Sequence, residues 1–127
     1  MKVLLDASAL LAAVNEEPGG ERVAECLDDA AISAVNLAEV ATKLCEFGWR
    51  LTEVADFVAD LQLEVLPFDL KDALQTAELR GPTRKLGLSL GDRACLAAAR
   101  RTGYRVLTAD EAWSRAKVRG VRIEIVR

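Results

Sequence analysis

The stretch 87-GLSLGDRACLAAARRTGYRVLTAD-110 decides how the whole chain is read. On a 3.6-residue period Asp92 shares a face with Cys95, Leu96 and Ala99, which predicts a helix over 90–102 whose buried stripe begins with an acid. Val106-Leu107-Thr108 then closes an apolar strand over 104–108, and Asp110 lies just past it. A helix running into a short apolar strand is a unit of a parallel sheet with helices packed on its faces.

The same alternation continues upstream and downstream. Strands are expected at 2–6, 31–33, 64–68 and 121–126, and helices at 8–15, 20–29, 34–47, 52–62, 70–80 and, briefly, 111–116. Pro18-Gly19-Gly20 is a turn, Gly48 ends a helix, Ser8, Thr52 and Asp69 are N-caps, and Gly81-Pro82 stops the helix before it. Gly81 to Gly87 reads as a mobile loop whose Arg84 and Lys85 are free to meet a ligand. With 127 residues and 51% hydrophobic content, the chain reads as one domain, 1–127, able to bury a core without disulfides.

Composition removes several chemistries. There is no histidine, so no Ser-His-Asp triad, no Cys-His pair and no histidine-ligated zinc water. Neither a phosphate-binding Gly-x-x-x-x-Gly-Lys loop nor a Gly-x-Gly-x-x-Gly dinucleotide turn occurs. Cys26, Cys45 and Cys95 form no Cys-x-x-Cys pair and fall in helical patterns, as small buried hydrophobes do in a reducing cytosol. The apolar run Val3 to Val14 is interrupted by Asp6 and too short to span a bilayer, so a cytoplasmic protein without membrane contact is expected.

The net charge of −3 conceals a strong asymmetry. Residues 1–70 hold four Lys/Arg against fourteen Asp/Glu, net −10, whereas residues 71–127 hold thirteen against six, net +7. Arg80, Arg84, Lys85, Arg93, Arg100, Arg101 and Arg105 surround the segment that carries Asp92. Basic surface beside an acidic pocket suits a polyanion lying near a bound cation, although an Arg-rich solvated helix face has the same pattern.

Three aspartates stand where apolar runs meet helix starts: Asp6 after Val3-Leu4-Leu5, Asp92 after Ser89, and Asp110 after the 104–108 strand. Ligands of open α/β sheets collect beyond the carboxyl ends of the strands. Brought together there, the three form an all-oxygen pocket that calls for a hard cation, Mg²⁺ or Mn²⁺. Each also has a purely local role open to it. Ser89-Leu90-Gly91-Asp92 matches a capping box, Asp6 can cap its turn, and Asp110 can cap the helix that begins near Glu111. Glu39 falls nearly opposite the Leu37, Val40, Ala41, Leu44 and Cys45 stripe, the position of a solvated glutamate, and nearby Asn36 is unremarkable.

Taken in order, LLDASAL with Asp6 and Ser8, NLAEV with Glu39, LSLGDRACLA with Asp92 and VLTADEAW with Asp110 make the chain resemble a PIN-domain ribonuclease of the VapC toxin type over essentially its whole length. The resemblance implies a three-layer α/β/α sandwich around a parallel sheet of order 3-2-1-4-5. It also implies that Asp6, Glu39, Asp92 and Asp110 hold one or two Mg²⁺ or Mn²⁺ ions, with Ser8 orienting Asp6 or a bound water. RNA would be cut by a metal-activated water, with Arg84, Lys85 and Arg93 near its phosphates. Similar proteins dimerise and are silenced by a VapB-like antitoxin. The apolar positions Val23, Leu27, Val54, Phe57, Val58 and Leu61 offer such a partner a groove, or else simply pack the core. Trp49 and Trp113 are read as packing residues.

Two other classes compete. Aspartate phosphotransfer, in a receiver or phosphatase-like domain, also uses an acidic Mg²⁺ site on an α/β sheet. Phosphatases of that kind need Asp-x-Asp where this chain has Asp6 and Ser8, and a receiver would need its phosphoacceptor at Asp69. A non-catalytic PIN-like binding module, whose acids only cap and pair, is the third reading.

Overall fold

A computed structural model describes residues 2–127. The chain runs β1 (Val3–Leu5), α1 (Ala7–Val14), α2 (Gly20–Cys26), β2 (Ala30–Ser33), α3 (Ala34–Glu46), α4 (Leu51–Leu61), β3 (Glu64–Leu66), α5 (Leu70–Glu78), α6 (Arg80–Thr83), α7 (Leu90–Thr102), β4 (Arg105–Thr108) and β5 (Ile123–Ile125). Short 3-10 turns occupy Leu27–Asp29, Arg84–Leu86 and Glu111–Arg115.

The five strands form one parallel sheet of order β3-β2-β1-β4-β5, as the resemblance implies. Strand order reverses between β1 and β4, where Leu5 pairs with Leu107. Everything just beyond that pair lies at the topological switch point, the usual ligand crevice of such sheets.

Period-2 alternation sends the strand side chains to two cores. Leu4, Ala31 and Val106 pack with Leu79, Leu88, Leu96 and the α7 alanines on one face. Val3, Leu5, Ile32 and Leu107 pack with Leu10, Val23, Val40, Leu44 and Val54 on the other. Strands covered on both faces must be apolar throughout, which is why these read as unbroken hydrophobic runs. Fully buried leucines such as Leu4, Leu5 and Leu10 each contribute about 2 kcal/mol over exposure.

Several local expectations are corrected. Asp6, not Ser8, caps α1: its carboxylate accepts from Ala9 N, because the helix begins one residue earlier than the pattern suggested. Likewise α4 starts at Leu51, with Arg50 N donating to Glu53, so Thr52 lies inside the helix. Gly81-Pro82 interrupts α5 but leaves no open loop. Proline is tolerated in a first helical turn, where its missing N–H has no intrahelical acceptor, and Pro82 therefore sits within α6. Thr83 Oγ1 bonds back to the Leu79 carbonyl at 2.7 Å, and the following residues form a 3-10 turn rather than an open loop.

Other expectations match. Asp69 caps α5, and Gly48 takes φ 100° directly after α3. Trp113 is buried, and Trp49 meets Phe57 edge-on at 5.7 Å. Cys95 is buried, Cys26 and Cys45 are half-buried, and all three are free thiols. Val23 and Val54 lie in the core, with Leu27, Phe57, Val58 and Leu61 packed against it. No helix among the described residues is long and apolar enough to cross a membrane.

Candidate functional site

Asp6 stands at the centre of the switch point. Its backbone N–H donates to Leu107 O at 3.3 Å, carrying the β1–β4 pairing one residue past the strand. The side chain is 3% exposed. Oδ1 accepts from Ser8 Oγ and from Ala9 N, both at 2.8 Å, and Oδ2 accepts from Thr108 Oγ1 at 2.6 Å. These three bonds favour the carboxylate, yet burial outweighs them and, with the Asp92 charge adding to it, pushes the Asp6 pKa up to about 6. A carboxyl raised that far is a common sign of a functional cleft.

Ser8 and Thr108 tie the ends of β1 and β4 together. Their hydroxyls lie 3.2 Å apart; Ser8 Oγ also accepts from Ala109 N at 3.0 Å, and Thr108 Oγ1 from Asp110 N at 3.1 Å. Asp110 is thus joined through its backbone to the group that holds Asp6. Its exposed carboxylate accepts from Ala112 N at 3.0 Å, opening the 3-10 turn. It lines a hollow of about 520 Å³ together with Ser8, Leu11, Pro18 and Arg127.

The remaining acids come from the first turn of α7 and the middle of α3, two helices that pack against each other. Asp92 closes the expected capping box: Ser89 N donates to Asp92 Oδ2 at 3.0 Å and Asp92 N to Ser89 Oγ at 3.1 Å. Glu39 is exposed, as its helical position predicts, but the N-terminal turn of α7 lies across that face. Its carboxylate rests on Gly91, where an added Cβ would come within 2.5 Å of both oxygens. Asn36, 1% exposed, donates through Nδ2 to Glu39 Oε1 at 2.8 Å and to Gly91 O at 3.0 Å. Its Oδ1 is buried without a donor.

Cys95 marks where these charges converge. Burial, and then the charges of Asp6, Asp92 and Glu39, raise its thiol well above the ordinary range. Three acids far apart in sequence thus disfavour the Cys95 thiolate beneath the first turn of α7. Each is nonetheless held by its own local partners, and among the described residues no three His, Cys, Asp or Glu side chains stand grouped tightly enough to hold an ion as placed.

The expected RNA-facing cations separate into two kinds. Arg84 and Lys85 are exposed on the turn that precedes α7. Arg93 instead donates to the Thr76 carbonyl at 3.1 Å, so its guanidinium lies against α5 with Nε buried and unpaired. Asn36, Gly91 and Thr108 were not expected at the site. Asn36 alone left a usable trace, since it stands three residues before Glu39 on the same helix face.

The PIN-domain family model matches residues 3–118. No curated protein matches the chain. Among solved structures, VapBC2 from Rickettsia felis bound to a promoter DNA fragment contains a similar chain, with TM-score 0.75 and 22% identity over 98% of both chains. DNA-bound VapBC from Salmonella typhimurium gives 0.72 and 23% over 100% of this chain and 99% of that one. VapC20 from Mycobacterium tuberculosis, a toxin that cleaves the sarcin–ricin loop, gives 0.71 and 19% over 95% and 99%. At such identities the likeness is one of fold, and it agrees with the sheet order and with a family match spanning nearly the whole chain. This chain belongs to the PIN-domain family.

Proposed function

We propose that the protein is a divalent-cation-dependent endoribonuclease that serves as the toxin of a toxin–antitoxin pair. The observation that carries this reading is the gathering of acids at the switch point: Asp6 is buried just past β1, Asp92 lies in the first turn of α7, and Glu39 rests on Gly91 of that same turn. Membership of the PIN family, and the fold shared with VapC20 and with the VapBC complexes, support it.

The residues present fit a hard cation. The donor set is all oxygen, Asp6 is buried with its charge opposed, and Asn36 keeps an unpaired acceptor beside Glu39. Asp6, Glu39 and Asp92 would hold Mg²⁺ or Mn²⁺, with Asp110 joining from the β4 end. When bound, the cation neutralises phosphate charge and activates a water for attack on the phosphodiester.

The chain's own side chains do the rest. Ser8 and Thr108 fix the rotamer of Asp6, so that its oxygens are aimed before substrate arrives. Arg84 and Lys85 take the RNA backbone at the head of α7, an interaction that carries affinity without sequence preference. The N-terminal amides of α7 add positive potential beside the acids. A VapB-like antitoxin and a second copy of the chain are the proposed protein partners. The apolar hollow of about 580 Å³ between α3 and α4, flanked by Leu51 at 69% exposure, is a surface suited to such partners.

The test incubates purified, antitoxin-free protein with total RNA in Mg²⁺ or Mn²⁺ and in chelator, beside Asp6→Asn. Cutting that needs the cation and is lost in the variant is expected; equal cutting in chelator or by Asp6→Asn ends the proposal. The local bonds that satisfy every acid favour one competing reading, a non-catalytic binding module. It predicts no Mn²⁺ binding at all.

A further inference from the structure

We infer that Asn36 and Gly91 are positioning residues: together they clamp the Glu39 carboxylate against the first turn of α7 and so set its distance from Asp6 and Asp92. The inference rests on the cation-site reading above and extends it to two residues without a charge.

The geometry is specific on both sides of the clamp. Glu39 sits on an exposed helix face, where a glutamate would ordinarily sample several rotamers in solvent. Here one N–H of a nearly fully buried amide grips Oε1, while the same amide nitrogen bonds the Gly91 carbonyl, so α3 and α7 share one donor group. The amide orientation follows from its surroundings, since turning it over would face Oδ1 toward two other acceptors. Oδ1 is buried and receives no hydrogen bond from the protein.

Gly91 completes the clamp by having no side chain. A methyl group there would stand 2.5 Å from each Glu39 oxygen and 2.6 Å from Cδ, closer than carbon and oxygen can approach. Backbone strain does not explain this glycine, since Gly91 does not take a positive φ. Gly91 is the second residue of α7, in a first turn where nothing in the backbone itself calls for a glycine. The glycine therefore makes room for the carboxylate rather than for the helix. An added methyl would drive Glu39 outward and break its bond from Asn36.

The test titrates Mn²⁺ calorimetrically into the purified chain and into Gly91→Ala, Asn36→Ala, Glu39→Gln and the Gly91→Ala/Glu39→Gln double variant, with thermal melting of each in chelator. Gly91→Ala is expected to bind Mn²⁺ about 10–100-fold more weakly, the range seen when a ligand is deprived of its supporting partners. Its melting temperature in chelator should be unchanged or higher, which a merely structural glycine would not produce. Asn36→Ala should lose affinity by a similar factor. If Gly91 acts through Glu39, the double variant binds no worse than Glu39→Gln alone. Wild-type affinity in Gly91→Ala, or additive losses in the double variant, would overturn the clamp while leaving the cation site standing. Failure of the unmodified chain to bind Mn²⁺ would remove the cation site and the clamp with it.

Discussion

The Thr108 hydroxyl donates to Asp6 Oδ2 at 2.6 Å, joining two residues 102 positions apart at the ends of adjacent strands. Asp6 is buried, and this bond is one of three that keep its carboxylate tolerable there. The site is thus held ready at an energetic cost that a bound cation would offset.

That cost appears as a pH dependence of stability. Burial raises the folded pKa of Asp6 from 3.8 to about 6, so the native state binds the proton more tightly than the unfolded chain does. Stability from this group is fully present below the unfolded value and is lost as pH rises through about 6. In chelator, urea unfolding of the wild type should lose roughly 1 kcal/mol between pH 5 and pH 7 from this residue. Asp6→Asn should not show that loss and should be the more stable protein at pH 8. A wild type and variant with parallel pH profiles would refute the assignment.

Thr108→Val keeps the shape of a fully buried side chain and removes its hydroxyl. Asp6 then loses its shortest bond, and Asp110 N loses its acceptor. The variant should be destabilised by about 1–2 kcal/mol at pH 7, measured by urea unfolding, because buried partners are left unpaired. Its Mn²⁺ affinity should fall as well. Unchanged stability would mean that solvent replaces the hydroxyl.

Arg101 Nε donates to Asp72 Oδ1 at 3.0 Å, and Asp72 is 6% exposed. Removing the guanidinium in Arg101→Ala leaves a buried carboxylate with only the Asp69 amide as donor. A loss of about 2 kcal/mol is expected. Mn²⁺ binding should be unaffected, which makes this variant a control for stability effects on the site.

Arg84 and Lys85 are exposed and free to reach phosphate. An Arg84→Ala/Lys85→Ala variant, measured by fluorescence anisotropy in the Asp6→Asn background, should bind single-stranded RNA more weakly at every sequence tested. The slope of log affinity against log salt should drop by about 1 to 1.5, from roughly 0.7 for each phosphate that a side chain no longer neutralises. An unchanged slope would place RNA elsewhere on the surface.

Much of the fold was legible because each element carries its own signal. The helix predicted over 90–102 is α7, Leu90–Thr102, since its stripe and its Ser89–Asp92 box lie within one stretch of chain. The misreadings were at boundaries where two local rules compete: Ser8 against Asp6 as a cap, and Gly81-Pro82 as a stop or as part of a helical turn. Arg93 stands among other cations in the sequence, and the fold lays its guanidinium against the Thr76 carbonyl of another helix, a contact that no local pattern announces.

The sequence alone determined that apolar strands alternate with helices and that acids stand at their junctions, because periodicity and capping are properties of neighbouring residues. Only the tertiary structure decided what those acids experience. Glu39 stays exposed, as its helical position predicts, yet the N-terminal turn of α7 comes up against its carboxylate, admitted by Gly91, and Asn36 holds it there. Likewise, nothing in LLDAS says that Asp6 is buried: its raised pKa comes from the low dielectric and the charges that the assembled sheet and α7 bring around it.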